Sequence, residues 1–487
     1  VFITELIEKC PEAFLGKIKR KRKGFVPFSI KEEGIDLFIF VGFEKKILEH
    51  YPDKKIIFLE PDPGVMLGCD CKDVIFLSED YTQVIKELVW KYALKKKQFF
   101  CHPEIDRAYF NKLKAFYEKT ELGRHLSISD VSDFGIRAFR NICENLSFFS
   151  SMKNGKRLHH AFKDVPAVIC GAGPSIKDQI QKIEKLKDKA LIFAGGSALN
   201  VFAKEKTLPH FGGSVDKIAP FDKFKEHFGY LIPFFVQLRA NAENLSLVND
   251  PIVFGESNKN LFEVFLEECF SISSFSSGWC VGNFLTQVAS FLGCDPIILV
   301  GMDFSYPKDQ KYADSRKSSK PVVTQNDFIM AKAWVKEFAN SSSNTVINAS
   351  KSYGGDSKLI DMTLDQVIES VLTKTFDLSG MVHQKINQQE NDLLIEEKKV
   401  LVRLLKSLNN CEKIINTFYK KNKLCREKLE QEIAYRYIIS PIWNIFAPII
   451  VSYSEDKKKR GFEKKIQETL FFQRIIKLYI TEIARFV

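Results

Sequence analysis

Hydrophobic and polar positions follow three regimes along the 487-residue chain. In the first, short apolar runs alternate with helically spaced segments. Leu37-Phe-Ile-Phe-Val-Gly42 reads as a buried strand ending on glycine, and a helix follows through Glu44–His50. Lys55-Ile-Ile-Phe-Leu-Glu60 reads as the next strand, with an acidic end and Pro61 as its stop. Helical spacing then runs from Ser78 to about Phe149. The second regime extends from Lys156 to Thr373. It predicts strands at Ala167–Cys170, Ala190–Ala194, His210–Asp216, Leu231–Gln237, Pro251–Phe254 and Pro296–Val300, with helical stretches between most of them. From about Phe376 glycine nearly vanishes, and Lys, Glu, Leu and Ile recur at helical spacing to Val487.

Strands alternating with helices predict an α/β protein with parallel sheets. The expected organisation is a Rossmann-like N-terminal domain over 1–150, a central doubly wound parallel-sheet domain over 156–373, and an all-helical region over 376–487. The N-terminal domain opens in the strand–Gly–helix–strand–acid order of a nucleotide-binding half-fold. It carries one glycine, Gly42, where a cofactor fingerprint needs several, and Phe43 and Glu44 crowd the turn. It therefore reads as a degenerate, structural copy. The helical stripes Leu393-Leu-Ile, Val400-Leu-Val and Leu404-Leu read as core, and the C-terminal helices are candidates for an oligomer interface.

Composition narrows the function classes. Hydrophobic residues at 45% and charged residues at 27% describe a soluble globular chain. A net charge of +11 favours anionic partners such as nucleotides or phosphorylated glycans. The basic runs Lys17–Lys23 and Lys457–Arg460 read as solvated surface, and nothing resembles a nucleic-acid-binding motif, so no nucleic-acid partner is expected. Eleven scattered cysteines, an odd number, and no signal-peptide pattern lead to an expectation of reduced thiols in a cytoplasm. Cys69-Asp-Cys71 lacks the second pair that a zinc site needs. No segment is long enough to span a bilayer. The apolar stretch Ile438–Val451 holds Pro441 and Pro448 and reads as a buried turn between core helices. Peripheral membrane contact, aided by Lys457–Arg460, is the alternative.

The candidate chemistry lies at the expected strand ends of the central sheet, where ligands of such sheets bind. Val168-Ile-Cys-Gly-Ala-Gly-Pro-Ser175 places a Gly turn (Gly171, Ala172, Gly173, Pro174, Ser175) between a strand and a helix over Ile176–Leu186. Free N–H groups and the positive end of a helix dipole would make it an anion cradle, and the glycines would admit a phosphate to the backbone. It is neither a full GxGxxG nor a Walker A sequence. Ala194-Gly-Gly-Ser197 leaves room over the sheet edge, with Ser197 at the helix start. Gly213-Ser-Val-Asp216 offers an acid for a ribose hydroxyl or a metal. Ser276, Ser277 and Gly278 precede a helix from about Asn283 to Leu292 and form a second hydroxyl-rich helix start. Asp303 follows the strand ending at Val300, and Tyr306 and Tyr312 are phenols able to bond phosphate oxygens. Each has a plainer reading: a β–α turn, a helix cap, a packing tyrosine.

Cys170-Gly-Ala-Gly-Pro-Ser-Ile176, Gly195–Ser197, Ser214-Val-Asp216, and Ser277-Gly278 leading to Leu299-Val-Gly-Met-Asp-Phe304 together resemble the bacterial motility-accessory-factor glycosyltransferases. That family shares its central domain with MptE-like 6-hydroxymethylpterin diphosphokinases. The tract Phe38–Pro61 resembles its N-terminal domain, and the likeness covers roughly residues 35 to 370. The central domain is also similar to bacterial sialyltransferases that use a CMP-activated sugar. This resemblance implies that Gly171–Ser175, Asp216, Ser276–Gly278 and Tyr306 hold the nucleotide. Two departures stand out: Ala172 replaces an asparagine of the sialyltransferase turn, and no histidine lies between His227 and His383 to serve as their general base.

The resemblance implies a cytoplasmic, inverting glycosyltransferase. It would move a nonulosonic, sialic-acid-like sugar from a CMP donor to a protein or glycan hydroxyl, with no cofactor required. Asp303 is the candidate acceptor base. The alternatives are an ATP- and Mg²⁺-dependent pterin diphosphokinase using acids such as Asp216 and Asp303, and a catalytically silent nucleotide-binding scaffold.

Overall fold

The computed structural model describes residues 34–67, 69, 71, 73–93, 95–218, 231–256, 261–275, 278–305, 324–350, 358–388, 397–420, 426–452 and 460–487. Contacts divide the chain into two units. One ends at His125 and takes in Phe446–Gly461; the other comprises Leu126–Ile445 and Phe462–Val487.

The first unit is built on four parallel strands in the order β3-β2-β1-β4: β1 (Leu37–Val41), β2 (Ile56–Glu60), β3 (Val74–Phe76) and β4 (Lys97–Cys101). Helices α1 (Lys45–His50), α2 (Pro63–Leu67) and α3 (Thr82–Lys91) connect them, and α4 (Arg107–Leu146) follows. The period of two along β1 sorts its side chains into two cores. Leu37, Ile39 and Val41 pack with Ile85 and Leu88 of α3 and with Leu113 and Tyr117 of α4. Phe38 and Phe40 pack with Ile47 of α1 and Val65 of α2.

One expectation changes here. The helical stretch from Ser78 to Phe149 is interrupted by β4, which pairs with β1 over its whole length. Its lysines hide the strand in the sequence, but Phe100 stacks on Phe40 at 4.7 Å and Phe99 meets the edge of Tyr117 at 4.8 Å. The acid ending β2 has a structural role. Glu60 is fully buried, and its carboxylate accepts the N–H groups of Phe43 and Asp62, each at 2.7 Å. It braces the turn at Gly42, whose φ of +97° suits glycine.

The second unit holds the large sheet. Its strands are β5 (Lys153–Asn154), β6 (Ala167–Cys170), β7 (Leu191–Gly195), β8 (Phe211–Ser214), β9 (Pro233–Gln237), β10 (Asn249–Glu256), β11 (Ser274–Phe275), β12 (Ile297–Val300), β13 (Val346–Asn348) and β14 (Ile360–Asp361). All pairings are parallel in the order β11-β10-β9-β8-β7-β6-β12-β13-β14, with β5 beside β10. Every residue of β6, β7 and β12 is buried, as in a sheet covered on both faces. Phe193, Phe211, Phe235, Phe254 and Phe275 form a row of rings across β7 to β11, with centroids 4.9–6.1 Å apart. Each such ring contributes about 1.5–3 kcal/mol by leaving water.

The connecting helices are α5 (Ile180–Glu184), α6 (Ser197–Lys204), α7 (Ala242–Leu245), α8 (Leu261–Phe270), α9 (Val281–Phe291) and α10 (Asn326–Ser341). The expected helix over Ile176–Leu186 shrinks to a 3₁₀ turn, Pro174–Ile176, and the short α5. Ile176 bonds back to Gly173 and Gln179 to Ile176, both i→i+3, while the Gln179 side chain is drawn to the Ala349 carbonyl at 3.2 Å. Helices α11 (Leu364–Ser370), α12 (Leu378–Asn387), α13 (Glu397–Lys420), α14 (Arg426–Glu430), α15 (Ser440–Ser452) and α16 (Arg460–Ile483) make the C-terminal part helical among the described residues. Val400, Leu401, Leu404, Leu408, Cys411 and Ile415 of α13 are buried at helical spacing, whereas Val402 is exposed. Arg140 of α4 grips Glu482 of α16 with two bonds, at 3.0 and 2.9 Å. Ile438–Val451 is helical rather than a turn: a π-helical turn, Tyr435–Ile439, runs directly into α15, and Pro441 sits at the junction, where the i→i+4 ladder is already displaced. No helix among the described residues is long and apolar enough to cross a membrane.

Candidate functional site

The strand order reverses between β6 and β12. The chain steps outward from β6 to β11 on one side, then returns to place β12 on the other. In open parallel sheets the ligand crevice lies beyond the carboxyl ends of the two strands at such a switch point. Those strands end at Cys170 and Val300, so the turns after them, Gly171–Ser175 and Gly301–Ser305, form the floor of the crevice.

The two turns grip one another. Gly171 N–H donates to the Val300 carbonyl at 2.8 Å, and Gly173 N–H to the Gly301 carbonyl at 2.7 Å. Asp303, 6% exposed, takes the remaining donors: its Oδ2 accepts Ser175 N–H at 2.9 Å and its Oδ1 accepts the Ser175 hydroxyl at 2.6 Å. A Cβ on Gly173 would lie 2.5 Å from both Asp303 Oδ2 and the Gly301 oxygen. The sequence reading assigned that space to a phosphate; it is filled by the second turn. Pro174 has no N–H, so only Ala172 of the turn makes no backbone bond in these pairings. The expected cradle of N–H groups at Gly171–Ser175 is consumed internally, and Pro174 begins a 3₁₀ turn rather than a helix.

Two helix starts lie across the crevice. Helix α6 starts behind Gly196, which adopts φ +53° and has no side chain to cap the helix. Helix α9 starts behind Cys280, which offers no side-chain oxygen as a cap; its thiol sulfur lies against the N–H groups of Gly282 and Asn283. Both helix starts line one cavity of about 200 Å³, together with Gly171, Ala172, Gly173, Asp216, Asp303 and the first turn of α10 at Asp327 and Phe328. A Cβ on Gly195 would strike Val281, so glycine at the end of β7 is what lets the two helix starts come together. The first N–H groups of a helix lack intrahelical partners, and its dipole presents positive charge there. Two such ends facing one cavity favour an anion between them. Ser197 is the first residue of α6 and half-buried in this wall. Cys280 lines the cavity as a thiol whose surroundings push its ionisation up to about 11, so it is no nucleophile at neutral pH.

A second cavity of about 470 Å³ adjoins the first and shares Asp216, Trp279, Cys280 and Asp327 with it. Its further walls include Ser127, Ser129, Phe134, Lys217, Arg239 and Gly278. Lys217 pairs with Asp130 at 2.5 Å. Arg239 donates through Nε to Gln237 at 3.0 Å and through Nη2 to Glu256 at 3.1 Å. Behind it Glu263 is buried with neither carboxylate oxygen bonded, and burial pushes its carboxyl up to about 7 against the pull of Arg239. Gly278 does not open α9, which begins three residues later. It sits at φ +64°, where a Cβ would strike Asn283, and Trp279 N–H donates to Asn283 Oδ1 at 3.1 Å. Ser276, Ser277, Tyr306 and Tyr312 lie outside the described residues.

The structure thus brings Gly171, Ala172, Gly173, Ser197, Asp216 and Asp303 to one cavity, holds Ser175 beneath it on Asp303, and places Gly278 in the adjoining one. Sequence reading missed Asp327 and Trp279, which line both cavities. Among the described residues no histidine lines either. Among the described residues no group of three or more His, Cys, Asp or Glu is placed to hold a metal.

A doubly wound parallel sheet with a crevice at its switch point defines the class of fold. The comparisons give it relatives. Residues 140–309 match the family model described as 6-hydroxymethylpterin diphosphokinase MptE-like. The chain shares its fold with the structure of a Maf glycosyltransferase from Magnetospirillum magneticum AMB-1, at 14% identity and a TM-score of 0.57, covering 94% of this chain and 80% of that one. A search among curated proteins finds no match.

Proposed function

We propose that this protein is a glycosyltransferase whose central sheet binds a nucleotide-activated sugar, with a CMP-linked nonulosonic acid as donor and a protein or glycan hydroxyl as acceptor. One observation carries the reading. The starts of α6 and α9, neither capped by a side-chain oxygen, converge on the cavity at the switch point. That is the electrostatic requirement for holding a nucleotide phosphate and stabilising it as it leaves. The shared fold with a Maf glycosyltransferase lends the reaction class. Asp303 is a poor acceptor base in this arrangement, because proton uptake would compete with its two bonds to Ser175. Asp216 and Asp327, which line both cavities, are better placed. The test is a thermal-shift panel of CMP, CDP, UDP, GDP and ATP with and without Mg²⁺, since a saturating ligand raises stability by RT ln(1+[L]/Kd). CMP should raise the melting temperature without metal.

The family model over residues 140–309 favours a second reading, a 6-hydroxymethylpterin diphosphokinase using ATP and Mg²⁺. Asp216 and Asp327 are oxygen donors of the kind Mg²⁺ takes together with substrate phosphates. A shift given by ATP only with Mg²⁺, and none by CMP, would select it.

A further inference from the structure

The cavity that takes the phosphate is small. Its 200 Å³ lies below the roughly 300–1,000 Å³ typical of small-molecule sites, whereas the adjoining 470 Å³ cavity lies within that range. A nucleotide-sugar seated on the helix starts must therefore continue into the second cavity, past the residues the two share. These are Asp216, Trp279, Cys280 and Asp327.

Their chemistry is specific. The Asp216 side chain makes no hydrogen bond or ion pair among the described residues, and Asp327 accepts only the N–H of its own neighbour Phe328, at 3.0 Å. Among the described residues the two cations of the second cavity already have anionic partners, Asp130 for Lys217 and Glu256 for Arg239, which also lies in the field of Asp216. The carboxylates left over share both cavities with a half-buried indole, that of Trp279. Acceptor-only carboxylates beside an aromatic face suit a ring that presents O–H and N–H donors at its edge and C–H groups on its face. That describes a pyranose. It does not describe a second phosphate, which two unpaired acids would repel.

We infer that the second cavity is the glycosyl subsite: Asp327 and Asp216 accept hydroxyl or amide hydrogens of the transferred sugar, and Trp279 packs against its ring. This rests on the nucleotide-sugar reading above and adds the residues that would choose the sugar. Asp327 is a positioning and specificity residue in this role, whether or not it also receives the acceptor's proton.

The experiment compares affinities by calorimetry on the full chain. CMP is measured against CMP-N-acetylneuraminate, UDP against UDP-N-acetylglucosamine, and GDP against GDP-mannose, for the wild type, Asp327→Asn and Trp279→Ala, with folding of each variant checked by its melting curve. The readout is the ratio of nucleotide-sugar to nucleotide affinity, which a general weakening of the phosphate cavity cannot move. For the nucleotide that binds, the sugar should add affinity in the wild type. Asp327→Asn should cut that advantage by about tenfold, the effect of one charge-assisted hydrogen bond. Trp279→Ala should reduce it similarly. A sugar that adds nothing in the wild type, or an advantage that survives Asp327→Asn, overturns the glycosyl subsite and leaves the nucleotide site standing. Binding of none of the nucleotides overturns the donor reading itself, and this inference with it.

Discussion

Asp303 separates a structural from a chemical role most cleanly. Its two oxygens hold the two donors of Ser175, at 2.9 and 2.6 Å, and so lock the turn after β6 onto the turn after β12. Asp303→Ala removes both bonds. Hydrogen bonds to a charged acceptor contribute about 1.5–3 kcal/mol each. Ser175 is half-buried, so water recovers part of the loss, and a net cost of about 3 kcal/mol is expected. For a domain of this order, about 1 kcal/mol corresponds to roughly 2–4 °C in melting temperature, which gives a fall of roughly 6–12 °C. Asp303→Asn keeps an acceptor for the Ser175 N–H, and its amide can donate to the hydroxyl once that rotates. The loss is then about 1 kcal/mol, or roughly 2–4 °C.

The assay is a thermal melt of both variants beside wild type, followed by nucleotide titration. The ordering wild type, then Asn, then Ala is the signature of a brace. An alanine variant that melts with the wild type would refute the argument. So would an asparagine variant that keeps its melting temperature and donor affinity but loses turnover by about 10²–10⁴-fold, which is the signature of a lost general base.

Gly173→Val should lower the yield of folded protein and the melting temperature rather than nucleotide affinity alone, because a Cβ there meets Asp303 Oδ2 and the Gly301 oxygen at 2.5 Å; a stable variant with intact spectra would contradict this. Glu263, raised from 4.5 to about 7 by burial, binds a proton more tightly folded than unfolded, so its contribution to stability falls as pH rises from about 4.5 to about 7. Glu263→Gln should therefore flatten the melting-temperature profile over that window and melt above the wild type at pH 8. Titrating the full chain with NAD or S-adenosylmethionine should give no binding at the N-terminal sheet, because Glu60 is committed to Phe43 and Asp62. Micromolar affinity for either ligand, lost on mutating Glu60, would show that the acid is available after all.

The central sheet was legible because its strands are short β-branched and aromatic runs between turn residues. Ala167–Cys170 is found at its predicted bounds, and β12 begins one residue after its predicted start. Strands that are very short or flanked by lysines were missed: β4 behind three lysines, and β3, β5, β11, β13 and β14, which are two or three residues long. Asp303 could be singled out from its place after a buried strand. Its partner could not, because Ser175 lies 128 residues away and no local pattern couples them. Asp327 opens a helix in an unremarkable stretch, and only the fold brings it beside Asp216.

The sequence points to Gly171–Ser175 as the anion cradle, and the structure engages most donors of that turn within the protein. Gly171–Ser175 has more glycine, but those glycines serve close approach to Gly301, so the turn's N–H groups face protein. The better signal was weaker to the eye. Gly196 and Cys280 both stand where a helix start ordinarily carries Ser, Thr, Asp or Asn. A helix that begins at the carboxyl edge of a parallel sheet without an oxygen cap leaves its first N–H groups unsatisfied, and a buried edge seldom tolerates that. When two such starts face one cavity, the missing oxygen cap is the signal on which the proposed anion site rests.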